Sequence, residues 1–206
     1  MTAPGLCSRS MEAAFRRSPP SGVGAEASFA TGEPEAAAVA DVIRSGQTTM
    51  WDRTRAYEAA LAQTLGAKHV VACNSGSSAD LLVALALVNP LLDPDRGGWL
   101  TCGDEVLIPA VTWPTHVWAA RLAGLTVRLV DVDPATLNAG PPQYAEALER
   151  YPWACALWPV HLMGNPVDVI GLAYLARTQG IPILADGCEA FGARADNFVA
   201  VKVSYW

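Results

Sequence analysis

Lysine is almost missing from this chain. Of its 14 lysines and arginines only Lys68 and Lys202 are lysines, so chemistry that needs a side-chain amine has two candidates. Positive charge is scarce overall: the formal net charge is −6, which leaves no basic face of the kind a nucleic-acid partner requires. No apolar run reaches the roughly 18 residues of a membrane span, and no apolar segment follows Arg9, Arg16 and Arg17. The sequence therefore predicts neither a membrane anchor nor a secretory signal. The five cysteines (Cys7, Cys73, Cys102, Cys155 and Cys188) are scattered singly, with no C-x-x-C pair. That pattern argues against a disulfide framework or a zinc site and implies reduced thiols in the cytoplasm. No G-x-G-x-x-G follows a first strand, which ranks a Rossmann-type nucleotide binder low, and no internal repeat supports a solenoid.

What the chain has is core material. Hydrophobic residues make up 51% of its 206 positions and the mean hydropathy is +0.22, enough for one large or two small domains. Residues 1–34, rich in Pro, Gly, Ser and Ala, read as a flexible arm with one helical turn near 11–17. A helix over 35–45 should stop at Gly46. A second over 53–65 should place Tyr57, Leu61 and Leu65 on one face, with Gly66 as its C-cap.

The organising stretch follows. Residues 70–73 are a β-branched run of the kind that forms a buried strand. The chain then breaks into Asn74-Ser75-Gly76-Ser77-Ser78 and resumes as an Ala/Leu-rich helix to about residue 87. A strand feeding a Gly/Ser loop at a helix N-terminus collects free N–H groups and the positive end of the helix dipole, a ready anion site. An ordinary capped connection reads the same way. Beyond a loop over 89–103, strands are expected at 104–109, 127–132, 155–160 and 181–185. Helices are expected at 115–123, 144–150 and 169–178. This alternation marks an α/β fold, a mostly parallel sheet with helices on both faces and right-handed crossovers.

In such a sheet ligands bind beyond the carboxyl ends of the strands. Pooling the residues there gives Gly76, Ser77 and Ser78, then Trp113, then His161, and finally Asp186 and Glu189. An anion cradle, a flat ring to stack on and a carboxylate at the far edge together suit a planar phosphorylated heterocycle, and pyridoxal phosphate (PLP) fits. An Asp against a pyridine nitrogen keeps it protonated, so that the ring can take up electrons from the substrate carbon. Each member also has a plain structural reading. Asp186 would serve as a helix N-cap, Trp113 as packing, His161 as a hydrogen-bonded core histidine, and Glu189 as a first-turn acid favoured by the dipole.

Five segments carry a resemblance: residues 74–81, 103–113, 129–138, 159–166 and 184–192. Together they resemble, in order and spacing, the DegT/DnrJ/StrS family of PLP-dependent sugar aminotransferases, with the aspartate aminotransferase fold (PLP fold type I), over roughly residues 35–192. The resemblance implies that residues 35–206 are the large, PLP-binding domain. Ser77 and Ser78, at the Gly76 turn, would bind the cofactor phosphate. Trp113 would stack on the ring, Asp186 would pair with its nitrogen, and Glu189 would lie near its 3-hydroxyl, where the family commonly has Gln. It also implies a keto nucleotide-sugar and an amino-acid donor as substrates, and a homodimer in the full-length form.

One departure stands out. The family holds PLP on a lysine downstream of the Asp. Neither Lys68 nor Lys202 sits at that place, and Ser204 resembles only the start of the segment, as a further phosphate ligand. The lysine position, and the C-terminal small domain of the fold, are expected to lie beyond Trp206, which makes this chain an N-terminal portion. Residues 74–78, the 89–103 insertion and residues 162–166 look most like the nucleotide-hexulose 3-dehydrase branch, in which a histidine replaces that lysine and the pyridoxamine form of the cofactor (PMP) is bound. The expected activity is transamination first, with 3-dehydration in deoxysugar biosynthesis as the alternative. A non-catalytic pseudoenzyme or interaction subunit is the non-enzyme alternative. No metal is expected.

Overall fold

The computed structural model describes residues 32–91, 99–195 and 198–199; the expected N-terminal arm up to residue 31, Lys202 and Ser204 lie outside the described residues. The chain divides into two compact units, residues 1–51 and 52–206. In the first, α1 (Glu33–Ser45) begins where the Glu35 carboxylate accepts the Gly32 N–H at 2.7 Å and ends at Gly46, whose φ of 71° closes the helix in the left-handed region.

The second unit is a parallel α/β layer structure. Its helices are α2 (Asp52–Leu65), α3 (Gly76–Leu87), α4 (Pro114–Leu122), α5 (Pro141–Arg150) and α6 (Val169–Gln179). Its sheet is built on β1 (Glu105–Pro109), β2 (Thr126–Val130) and β3 (Ala154–Leu157), in the order β2-β1-β3, all parallel. Residues 183–186 extend the sheet beyond β3 through two parallel bridges, Leu157 to Ile183 and Val160 to Asp186. A final pair, β4 (Arg194–Ala195) and β5 (Phe198–Val199), is antiparallel. β1 is central, with Val106, Leu107 and Ile108 all fully buried, as a strand covered on both faces requires. Register slips once against β3: Glu105 pairs with Ala154 but Val106 with Ala156, leaving Cys155 unmatched as a bulge.

The order β2-β1-β3 means the chain moves one way from β1 to β2 and then returns past β1 to β3. Right-handed crossovers then put α4 on one face and α5 and α6 on the other. The core shows this split. One cluster joins Ala84 of α3 and Ala119 and Ala120 of α4 to Val106, Ile108 and Trp158. The other joins Tyr144 of α5 and Leu172 of α6 to Leu107, Leu157 and Val130.

Two expectations need correcting. Residues 70–73 form no strand: Val71 is 76% exposed, and the Ala72 N–H is accepted by the Glu58 carboxylate at 2.8 Å, not by a neighbouring strand. The β-branched run had the composition but no partner edge, and β preference is largely a preference for packing on a sheet. The 181–185 strand survives as the two bridges alone. Elsewhere the boundaries shift by a few residues. α5 begins three residues earlier than expected because Gly140, with Gln143 accepting its N–H at 2.9 Å, starts the helix ahead of Pro141. Cys73, Cys102 and Cys155 are free thiols. Among the described residues no helix is long and apolar enough to cross a membrane, and no cluster suits a metal ion.

Candidate functional site

Strand ends at the carboxyl edge converge on a cleft of about 150 Å³ lined by Gly76, Ser77, Asp80, Trp113, Thr115, Val160, Leu162, Asp186, Cys188 and Glu189. The chain changes direction between β1 and β3 here, where a ligand crevice opens in doubly wound sheets. Of the residues singled out from sequence, Gly76, Ser77, Trp113, Asp186 and Glu189 are brought together in it.

The anion end is the start of α3. Ser75 caps the helix, its hydroxyl accepting the Ser78 N–H at 3.2 Å. The first-turn N–H groups of Gly76 and Ser77 have no intrahelical acceptor and face the positive end of the dipole. Ser77 Oγ donates to Thr115 Oγ1 at 3.0 Å, tying α3 to α4. Ser78 lies beside them: its hydroxyl accepts from Ser75 Oγ at 3.1 Å, which leaves its own proton to donate, and it is not part of the cleft lining.

Trp113 is the N-cap of α4, with Pro114 opening the helix, and is 59% exposed. A ring that open is not core packing; it stands at the cleft rim. Asp186 is its opposite, 3% exposed at the base. Its backbone N–H donates to Pro159 O at 2.9 Å, and its C=O accepts the His161 N–H at 2.8 Å. Its carboxylate accepts the Cys188 N–H at 3.0 Å. That last bond makes a local turn and not a helix cap, since no helix follows among the described residues. Glu189 lines the cleft while its carboxylate accepts the Met163 N–H at 2.5 Å. Met163 sits at φ 54°, a left-handed conformation unusual for a side chain of this size. Asn138 braces the same turn, accepting the Leu162 N–H at 3.0 Å and donating to Asn165 O at 2.9 Å.

His161 is a buried, hydrogen-bonded histidine, its Nδ1 accepting the Val167 N–H at 3.1 Å. Sequence reasoning missed Asp80, Thr115, His116 and Cys188. Asp80 lies one turn beyond Gly76 on the same helical face, and Thr115 and His116 fall two and three residues after Trp113. For Asp80 and His116, four residues after Gly76 and three after Trp113, helical spacing was the signal. His116 is fully buried, packs edge-on to Trp158 at 4.7 Å between centroids, and places Nδ1 2.8 Å from the Thr112 hydroxyl. Burial lowers its pKa to about 4, against the opposing pull of the Asp186 charge.

The donor set fits a phosphorylated pyridine. Amide and hydroxyl donors lie at one end, an open indole at the rim, and a buried carboxylate at the base.

Comparison with known proteins agrees. The model of the DegT/DnrJ/EryC1/StrS aminotransferase family matches residues 30–202. A GDP-4-keto-6-deoxy-D-mannose 3-dehydratase of Yersinia pseudotuberculosis is 35% identical over 165 residues, 80% of this chain and 40% of the relative. The structure of the Escherichia coli GDP-4-keto-6-deoxy-D-mannose-3-dehydratase with bound hydrated PLP superposes with a TM-score of 0.77 at 32% identity, over 86% of this chain and 44% of that one. An aminotransferase from Psychrobacter cryohalolentis follows at a TM-score of 0.66 and 28% identity, over 81% and 39%. The chain thus spans about two fifths of the length of the relatives it matches. With most of its length matched by that model, and with relatives solved in complex with the cofactor its cleft suits, the chain belongs to the DegT/DnrJ/EryC1/StrS aminotransferase family of PLP-dependent enzymes.

Proposed function

We propose that this chain forms the cofactor-binding part of a PLP- or PMP-dependent enzyme that removes the 3-hydroxyl of a 4-keto nucleotide-sugar. The observation that carries this reading is the gradient of likeness, from a TM-score of 0.77 and 32% identity with the 3-dehydratase to 0.66 and 28% with the aminotransferase. On this reading 3-dehydration, the alternative in the sequence, comes ahead of transamination, which stays supported at the level of the family. When bound, the cofactor supplies a conjugated ring that accepts electrons from the substrate carbon. The chain's own residues do the rest. The Gly76 and Ser77 amides and the Ser77 hydroxyl bind the phosphate, Trp113 stacks on the ring face, and Asp186 holds a proton on the ring nitrogen. Glu189, an acceptor only when ionised, lies towards the 3-hydroxyl edge. A second copy of the chain and an amino-acid donor belong to the same reading.

Two steps test it. Titrating PLP into the chain and following absorbance should show binding, and Asp186→Asn should weaken it by about 100-fold, the scale of one misplaced electrostatic partner. Incubation with a GDP-4-keto-6-deoxy sugar, PMP and a 15N-labelled amino-acid donor is then read by mass spectrometry. A product lighter by one oxygen supports 3-dehydration, whereas 15N in the sugar would transfer the assignment to amination. Bound PLP with an unchanged sugar would leave the non-catalytic reading.

A further inference from the structure

Among the described residues, two besides the glycines hold φ in the left-handed region, Leu137 at 58° and Met163 at 54°. Side chains rarely adopt that conformation, and where it persists the surroundings impose it. Here the two are linked. Leu137 closes a turn by donating its N–H to Asp133 O at 2.7 Å, and that turn delivers Asn138. The buried Asn138 side chain then spans the turn around Met163, accepting the Leu162 N–H before it and donating to Asn165 O beyond it. The Asn165 N–H completes the turn on Leu162 O at 3.0 Å.

The Met163 side chain is 79% exposed, so its packing does not hold this conformation. The Met163 N–H, in contrast, reaches Glu189 Oε2 at 2.5 Å, 26 residues along the chain. Gly164, at φ 77°, lets the two segments approach: a Cβ there would stand 3.2 Å from the Glu189 carbonyl oxygen. Among the described residues no hydrogen bond occupies the other carboxylate oxygen, Oε1. Glu189 and Leu162 both line the cleft. An exposed Glu, as this one is, spreads over many rotamers unless a partner holds it.

We propose that the turn over 162–165, braced by Asn138, is a positioning device for Glu189: the Met163 amide holds one carboxylate oxygen and so directs the other to the 3-hydroxyl edge of the bound pyridine ring. This rests on the assignment of Glu189 to that edge. Neither Met163 nor Asn138 touches the cofactor; both act through the acid.

The test uses the 206-residue chain and separates backbone from side chain at Met163. Met163→Gly and Met163→Val both replace an exposed side chain and keep the N–H, but glycine accepts a φ of 54° and valine does not. In PLP titrations Met163→Gly should bind within about twofold of the parent and Met163→Val about fivefold more weakly, the worth of ordering one rotamer-rich side chain on binding. Both substitutions are then remade on Glu189→Ala. There the gap between Gly and Val should close, since the acid through which the turn acts is gone. A gap of undiminished size would show that the turn shapes the cleft directly and would overturn the proposal.

Labelling with 15N-methionine adds a readout that needs no cofactor. The chain has four methionines, so NMR resolves the Met163 amide, identified by its absence in Met163→Gly. That amide should exchange with solvent about tenfold faster in Glu189→Ala than in the parent, the loss of one hydrogen bond to a carboxylate. An amide indifferent to Glu189 sinks the contact and the proposal with it. The two assignments also fail separately. A chain that binds no PLP overturns the cofactor reading, and with it the role given to the turn, even where the Met163 amide answers to Glu189. A chain that binds PLP equally well as the Gly and Val variants sinks the positioning device alone.

Discussion

On one face of the sheet α3 and α4 press Ala84, Ala119 and Ala120 against Val106, Ile108 and Trp158. On the other, α5 and α6 press Tyr144 and Leu172 against Leu107 and Leu157. The first face uses small helical residues, which let helix axes come close to what they pack on, and it buries His116 among them. The second sets Tyr144, Val169 and Leu172 beside its own helical alanines, Ala147 and Ala176, so its helices carry more bulk to the sheet. Because α3 and α4 share a face, their N-termini meet through Ser77 and Thr115 at the sheet's carboxyl edge. Chemistry collects on the face whose helices begin at the cleft, and the other face serves as support.

That contrast can be broken by measurement. The largest effects should come from emptying each core. Trp158→Ala on the first face should cost about 4 kcal/mol of folding stability and Leu172→Ala on the second about 3 kcal/mol, both read by urea unfolding. Only the Trp158 variant should also weaken PLP binding under conditions where both proteins remain folded, because Trp158 packs against His116 on the turn that carries the cleft residues Trp113 and Thr115. Equal loss from both would mean that the faces are not functionally distinct.

Acid should separate the faces next. Burial holds the folded-state pKa of His116 at about 4, below the ordinary 6.5 of an imidazole. The unfolded chain therefore binds a proton over that window which the folded one does not. Stability from this source is fully present above about pH 6.5 and is lost as pH falls towards 4, by about 3 kcal/mol in all. His161 is shifted in the same direction. A His116→Gln variant should lose most of this acid dependence, seen as a flatter plot of unfolding free energy against pH.

Ser77→Ala should weaken PLP by about tenfold while changing stability by under about 0.5 kcal/mol, because its hydroxyl is half-exposed and its loss strands no buried donor. The smallest effect is expected opposite the cleft. Among the described residues the Tyr144 hydroxyl is buried without a partner, so Tyr144→Phe should raise stability by about 1 kcal/mol and leave PLP affinity unchanged. A destabilised Phe variant would show that the hydroxyl has a partner.

Much of this was legible in the residues. The periodic helices, the buried β1 run and the cap at Ser75 follow from local chemistry, and the structure keeps them within a few positions. Residues 70–73 misled because a strand is defined by its partner, and composition does not reveal that the Glu58 carboxylate takes the place of one. The site was legible where a residue stands just after a strand, as Trp113 and Asp186 do. It was not legible where a residue reaches the cleft from inside a helix, as Asp80 and Thr115 do, since their part depends on which way the helix is turned. Ser78 shows the same limit in reverse. It sits in the right loop, but it is not among the residues lining the cleft.

The first turn of α4 has a consequence for how the site tolerates change. Trp113, Thr115 and His116 lie within four consecutive residues, and they serve the rim, the anion end and the surroundings of the buried acid. A tilt of that helix moves all three contacts together and keeps their spacing, so the site can drift as a unit between relatives without losing alignment. A one-residue insertion after Trp113 would instead rotate Thr115 and His116 by about 100° about the axis relative to it, and the alignment would be lost through a change that adds no bulk to the cleft.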